Sequence, residues 1–81
     1  MPIPLYGFLE GDTLGLLVLA EEVQTILELT RKLQDAANIR VARKDDVELF
    51  FNGKTVDPGL TVAQAGLQAL DRFDVMWRHR V

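Results

Sequence analysis

The chain has 81 residues, 48% of them hydrophobic and 26% charged, with a formal net charge of −3. A chain of this length has room for one small core, so we expect a single domain over residues 1–81. It contains no cysteine, which excludes disulfides, thiolate metal ligands and cysteine nucleophiles. The acidic balance disfavours a nucleic-acid partner, because binding to phosphates requires a basic surface.

No apolar run of the sequence approaches the roughly 20 residues that a membrane-spanning helix needs. The opening residues, MPIPLYGF, lack the basic segment that begins a secretion signal. We therefore expect a cytoplasmic protein with no membrane partner.

Two β-compatible runs come first along the chain. Ile3 to Leu9 is apolar and aromatic, EGDT at 10–13 favours a tight reversal, and Leu14 to Ala20 resumes the strand pattern. The sequence therefore predicts a β-hairpin. Both alternating sets of the second run are apolar, whereas a strand covered on one side normally alternates with polar residues.

An amphipathic helix is predicted after this hairpin. TILE at 25–28 has the spacing of a capping box, in which Thr25 accepts from the amide of Glu28 and the Glu28 carboxylate accepts from the amide of Thr25. Apolar residues then recur at helical spacing, at Ile26, Leu29, Leu33 and Ala36 or Ala37. The pattern predicts about three turns, ending near Asn38.

The second half contains two more strand signals and a second cap. VELFF at 47–51 is followed by Asn-Gly at 52–53, a strong turn signal, and then by KTVD. Beyond a DPG turn, Thr61 and Gln64 occupy capping-box positions and Gly66 can end a short helix. FDVMW at 73–77 is the last predicted strand, so the order is β-β-α-β-β-short helix-β.

This order of elements resembles ubiquitin and its β-grasp relatives. The resemblance rests on TILELTRKLQD in the helix, LFFNGKTV around the third strand and DPGLTVAQAGL before the last strand. It implies an α+β β-grasp roll, with a mixed sheet of four to five strands packed on one α-helix and a second short helix. Ubiquitin and the sulfur carriers of this fold end in Gly-Gly, whereas this chain ends MWRHRV, so a modifier or sulfur-carrier function is not expected.

A second resemblance is to the small β-grasp subunit of bacterial toluene-type multicomponent monooxygenases. It rests on NIRVARKDDV, on the overall length and on the chain end without diglycine. That resemblance implies an accessory subunit that binds the hydroxylase and carries no iron or active-site residue of its own.

The residues themselves offer no catalytic site. The one histidine, His79, lies near the chain end, where a general base is rarely held in place. No spacing typical of a metal site or a phosphate loop occurs. We expect no enzyme activity, no metal and no cofactor.

What remains is an apolar sheet surface. In the β-grasp register, the strand residues predicted to point at the helix are Ile3, Leu5, Leu17, Leu19, Leu49, Phe73 and Val75. The other predicted core residues are Ile26, Leu29, Leu33, Val56, Val62 and Leu67. Alternation sends the other set to the opposite face, where we expect a protein-binding site: Tyr6, Phe8, Leu14, Leu16, Val18, Phe50 and Met76. A register slip of one residue would exchange the two sets. Alternatively, Trp77 or residues 78–81 fold over this face and cover it in place of a partner protein.

The sequence thus predicts a non-enzymatic protein-interaction module that docks through an apolar sheet face, because exposed apolar patches mark interaction sites. The aromatic residues Tyr6, Phe8 and Phe50 are the expected anchors. The expected partner is a larger enzyme or assembly, such as a monooxygenase hydroxylase, or a second copy of the chain.

Overall fold

The computed structural model describes residues 2–78. The expectations for His79 and for the end of the basic tail therefore lie outside the described residues. The elements, in chain order, are β1 (Ile3–Leu9), β2 (Gly15–Ala20), α1 (Ile26–Ala36), β3 (Val47–Phe51), β4 (Lys54–Thr55), α2 (Val62–Ala65) and β5 (Arg72–Trp77).

The five strands form one mixed sheet in the order β2-β1-β5-β3-β4. β1 and β5 run parallel, and the other neighbouring pairs are antiparallel. α1 packs across one face of this sheet, which we call the inner face, and leaves the other, the outer face, without a covering layer in the described part of the chain. The expected α+β β-grasp roll with a second short helix is confirmed.

Both predicted capping boxes are present. The Glu28 amide donates to Thr25 Oγ1 at 3.1 Å while the Thr25 amide donates to Glu28 Oε1 at 2.9 Å. Thr61 and Gln64 repeat this geometry at the same two distances. Each cap satisfies two amides that the first turn of a helix otherwise leaves without partners.

The two helix starts are also joined to each other. The Ile26 amide donates to the Leu60 carbonyl at 2.8 Å, and the Val62 amide donates to the Gln24 carbonyl at 2.8 Å. A bridge between Thr25 and Thr61 lies between these bonds. The loop before α2 is therefore fixed against the start of α1, although the two segments are distant in sequence.

The core lies between α1 and the inner face. Its fully buried large side chains are Leu5, Ile26, Leu29, Leu33, Leu49, Val62, Phe73 and Val75, all of which were predicted to face the core. Leu9, Ala20 and Val41 are buried as well, although strand and helix alternation had not assigned them. Gly7 permits the close approach of α1, since a Cβ there would lie 2.8 Å from both Leu33 Cδ1 and Phe73 Cζ.

The predicted register of β2 is wrong by one residue. Val18 is 4% exposed and Leu16 is half-buried against the core, whereas Leu17 and Leu19 are exposed. The pairing with β1 explains this result, because Leu17 lies opposite Tyr6 and directly opposed residues share a face. Leu16 and Val18 therefore belong to the inner face, and Leu17 and Leu19 replace them on the outer face.

Two glycines account for this register. Gly15 lies opposite Phe8 on the outer face, where a Cβ would come within 2.6 Å of the Phe8 ring. Gly7 lies opposite Leu16 on the inner face, beneath α1. A shift of one residue would replace the Gly15–Phe8 pair by a larger residue against the ring, so the register follows from where the chain lacks a side chain.

Trp77 does not cover the outer face. It follows the alternation of Phe73 and Val75 toward the inner side, pairs with Val47, and lies close to Gly11. The Lys44 ammonium lies 4.7 Å from the centre of its ring. The alternative in which Trp77 shields the apolar surface is therefore wrong.

Candidate protein-interaction face

The candidate functional site is the outer face of the sheet. Side chains alternate along each strand, so β1, β2, β3 and β5 each send every second residue to this face. Its members are Pro4, Tyr6, Phe8, Gly15, Leu17, Leu19, Glu48, Phe50, Arg72, Asp74 and Met76.

The part of this face formed by β1 and β2 is the most apolar and the most exposed. Leu17 is 59% exposed, Leu19 50% and Tyr6 43%. These three side chains are neighbours, because Leu17 pairs with Tyr6 and Leu19 with Pro4. Large apolar side chains grouped in this way mark contact surfaces more often than isolated ones do.

A polar strip crosses the middle of the face. Arg72 stacks on the Phe8 ring, with its guanidinium carbon 4.0 Å from the ring centre, and its Nη2 atom lies 3.1 Å from Asp74 Oδ1. Phe8 is thereby held between Gly15 and Arg72 and is only partly exposed. Phe8 is an anchored part of the face rather than a free side chain.

Beyond the strip, β3 and β5 contribute a smaller apolar area. Met76 is exposed and lies opposite Glu48, while Phe50 is partly buried and lies opposite Asp74. Arg78 flanks this area and pairs with Glu48 at 3.2 Å. The charges of the face thus lie on its β3–β5 side, away from Leu17 and Leu19.

The structure brings together most of the predicted site residues. Tyr6, Phe8, Phe50 and Met76 lie on the outer face, and Leu14 is an exposed residue of the turn that leads into β2. Leu16 and Val18 are not part of it. Leu17 and Leu19, which alternation had assigned to the core, are the residues that the sequence-based prediction missed. The fit of Gly15 against Phe8 identifies their face, but it depends on the pairing of β1 with β2.

An ion pair fixes the turn at the start of β2. Arg40 binds Asp12 through two nitrogens, with Nη2 at 2.9 Å from Oδ2, and the Leu14 amide donates to Asp12 Oδ1 at 3.2 Å. The side chain of Asp12 is 2% exposed. The hydrogen bond from Arg40 holds the pKa of the Asp12 carboxyl below its usual value, and the Leu14 amide acts in the same direction. This contact joins residues 28 positions apart, so no local pattern predicts it.

On the other side of the sheet, a groove of about 350 Å³ opens between the start of α1 and β3–β4. Its lining includes the acidic residues Asp45 and Asp57 and the apolar residue Leu49. Within residues 2–78, no three His, Cys, Asp or Glu side chains converge as they would around a metal ion. No helix in that same part of the chain is long and apolar enough to cross a membrane.

Comparisons with known proteins agree on the fold. The family model described as Toluene-4-monooxygenase system protein B (TmoB) matches residues 2–77. The chain is similar to one in the structure titled "Toluene 4 monooxygenase HD Complex with Inhibitor 4-Bromobenzoate", with 21% identity, a TM-score of 0.88, and 96% of this chain and 100% of that one covered.

Ubiquitin-like structures also match. A ubiquitin of Caldiarchaeum subterraneum has 15% identity and a TM-score of 0.81, with 99% of this chain and 98% of that one covered. A chain from the structure "Molecular Mimicry of SUMO promotes DNA repair" has 19% identity and a TM-score of 0.76, with 91% and 89% covered. A search of curated protein sequences gives no match.

Proposed function

Because this chain belongs to the toluene-4-monooxygenase system protein B (TmoB) family, we propose that it is an accessory subunit of a multicomponent monooxygenase. It binds the hydroxylase of that system, and the oxidation chemistry takes place in the partner. The chain itself acts in the cytoplasm as a single domain, without catalytic residues, a cofactor or a metal of its own. Family membership over residues 2–77 is the observation that supports this proposal most strongly.

The outer face is the docking surface in this proposal. Tyr6, Leu17 and Leu19 expose between 43% and 59% of their surface on one side of a rigid sheet. Burying such side chains against a partner removes apolar area from water without requiring the backbone to rearrange. We expect Tyr6 to be the main anchor, since aromatic side chains dominate the energy of most interfaces.

The experiment compares two substitutions at equally exposed positions. Tyr6 and Leu27 are each 43% exposed, but Tyr6 lies on the outer face and Leu27 lies on α1 in the other layer. The hydroxylase subunits from the same organism are co-expressed with the unmodified chain, with Tyr6→Asp or with Leu27→Asp. Affinity is then measured with the purified components.

We expect the unmodified chain and Leu27→Asp to co-purify with the hydroxylase in a fixed ratio. Tyr6→Asp should bind at least about thirtyfold more weakly, as loss of an interface hot spot does. An unmodified chain that does not bind the hydroxylase contradicts the accessory-subunit function. Equal binding by the two variants leaves that function standing but contradicts docking through the outer face.

A further inference from the structure

The free edge of β2 carries a row of main-chain groups that face away from the sheet. On the other side of β1, the Pro4 carbonyl accepts from the Leu70 amide at 2.6 Å, and the Tyr6 amide donates to the Asp71 carbonyl at 2.9 Å. Pro4 and Tyr6 therefore direct their main-chain groups toward β5. In an antiparallel pair, the residues opposite them must direct their own groups away from β1. Those residues are Leu19 and Leu17.

The contact of Lys32 supports this assignment. Its Nζ atom donates to the Leu19 carbonyl, so that carbonyl is outside the β1–β2 ladder. Gly15, opposite Phe8, continues the row by the same alternation. Main-chain donors and acceptors thus recur at every second residue, about 6.8 Å apart, which is the spacing of an extended strand.

Nothing in β2 itself protects this edge. Native proteins usually place a charge, a proline or a bulge on an exposed edge strand to prevent pairing with other chains. β2 reads GLLVLA and contains none of these. Within residues 2–78, β1 is the only strand that pairs with it. A polar side chain that does cap the edge is Lys32, which comes from α1 and donates to the Leu19 carbonyl.

We propose that an extended segment of the partner protein adds to the sheet as a sixth strand beside β2, and that this segment carries an acidic residue facing Lys32. This inference rests on the proposed function, with the hydroxylase as the partner. Apolar side chains at alternate positions of the added strand lie beside Leu17 and Leu19 on the outer face. Strand addition and docking on the outer face then form one continuous surface.

The charge of Lys32 favours an acidic strand of the partner protein, rather than a second copy of the chain, at the edge of β2. No carboxylate lies within ion-pair distance of Lys32 among residues 2–78. A second copy adding through its own β2 brings a strand without any charged residue. An acidic residue on a foreign strand pairs with Lys32 and releases the Leu19 carbonyl to accept from the new main chain.

The first test separates the side chain of Leu17 from its amide. Leu17→Ala and Leu17→Pro both remove the exposed isobutyl group, but only proline removes the outward N–H. Proline is tolerated on an edge strand where its missing amide faces away from the neighbouring strand. We expect Leu17→Pro to bind the hydroxylase about tenfold more weakly than Leu17→Ala. The proline variant cannot donate from residue 17 to the added strand, and the partner carbonyl that would accept that hydrogen bond is left buried without a donor. Equal affinities of two folded variants overturn the proposal.

The second test needs no variant at position 17, so it holds even if the proline variant does not fold. Amide hydrogen exchange is measured for the unmodified chain, free and in complex with the hydroxylase. We expect the Leu17 and Leu19 amides to exchange rapidly in the free chain and to slow at least tenfold in the complex. Leu16 and Val18, whose amides face β1, should be protected in both states. Rapid exchange at Leu17 and Leu19 in the complex overturns the strand addition.

A third comparison tests the acidic residue of the partner. Lys32→Gln removes the cation at the edge, whereas Arg31→Gln removes the adjacent cation of α1, which lines a groove on the β3 side. We expect Lys32→Gln alone to weaken binding and to reduce its dependence on salt concentration. Equal salt dependence of both variants overturns the charge assignment.

The outcomes distinguish this inference from the proposed function. If the unmodified chain does not bind the hydroxylase, both are overturned. If it binds while Leu17 and Leu19 stay unprotected, only the strand addition is overturned. If the same two amides are protected in a homodimer without hydroxylase, the edge belongs to a second copy, and the proposal of a partner strand is wrong.

Discussion

Two neighbouring residues of β2 provide a direct test of the face assignment. Val18 is 4% exposed and Leu17 is 59% exposed, so truncation to alanine should destabilise the fold at Val18 and have little effect at Leu17. Val18→Ala removes two buried carbons, at about 0.8 kcal/mol each, which amounts to about 1.6 kcal/mol. The cavity left behind raises the loss of unfolding free energy to about 2 kcal/mol. Leu17→Ala removes carbons that already face water, so its effect should stay within about 0.5 kcal/mol.

Urea unfolding of the three proteins, followed by far-ultraviolet circular dichroism and by the fluorescence of Trp77, measures these differences. The slope of unfolding free energy against urea should be the same for all three, since little surface changes. In thermal melts, the midpoint of Val18→Ala should fall by about 8–16 °C while that of Leu17→Ala hardly moves. A larger loss of unfolding free energy for Leu17→Ala than for Val18→Ala would show that β2 has the opposite register, with Val18 rather than Leu17 on the outer face.

Two further predictions concern packing and pH. Gly7→Ala should lower the free energy of unfolding by about 1–3 kcal/mol. The new Cβ would lie 2.8 Å from atoms of Leu33 and Phe73, which are fully buried. An unchanged thermal midpoint would contradict this packing. Arg40 holds the pKa of the Asp12 carboxyl below its ordinary value of 3.8. The ionised carboxylate therefore stabilises the fold fully above pH 3.8, and this stabilisation is lost as the pH falls toward the lower pKa of the folded state. The unfolding free energy of Asp12→Asn should therefore fall less than that of the unmodified chain between roughly pH 5 and pH 2, and parallel curves would contradict the ion pair.

Features encoded within a few residues could be read from the sequence. The caps at Thr25 and Thr61 need only a partner three positions later, and both have the expected hydrogen bonds. Asn52 and Gly53 both have positive φ, at 54° and 77°, as the hairpin turn between β3 and β4 requires. Such local signals, taken in order, were sufficient to predict the order of the elements, and the resemblance to ubiquitin implied the β-grasp topology.

The face of β2 could not be read in the same way. Alternation identifies a register only when one of the two sets is polar, and GLLVLA is apolar in both. The turn before it adds a second ambiguity, because Leu14 belongs to the loop held by Asp12 rather than to the strand. The deciding information is the fit of Gly15 against Phe8, which exists only once β1 and β2 are paired.

The sequence predicted an apolar face and most of its members, but it assigned the wrong residues of β2 to that face. An excess of apolar residues over what one small core can cover is visible from composition and pattern. The stacking of Arg72 on Phe8 and the contact of Lys32 with β2 depend on side chains that only the fold brings together. The sequence could therefore predict that an apolar face exists, and the structure was needed to say which leucines form it.

The central place of β5 has a consequence for synthesis of the protein. β5 lies between β1 and β3, yet it is the last of the described strands to be made. Until β5 has been made, no strand links β1 to β3. The β1–β2 and β3–β4 pairs then remain separate, and the core beneath α1 cannot close. The sheet can therefore close only after β5 has been made, and until then the chain exposes the apolar side chains of its future core.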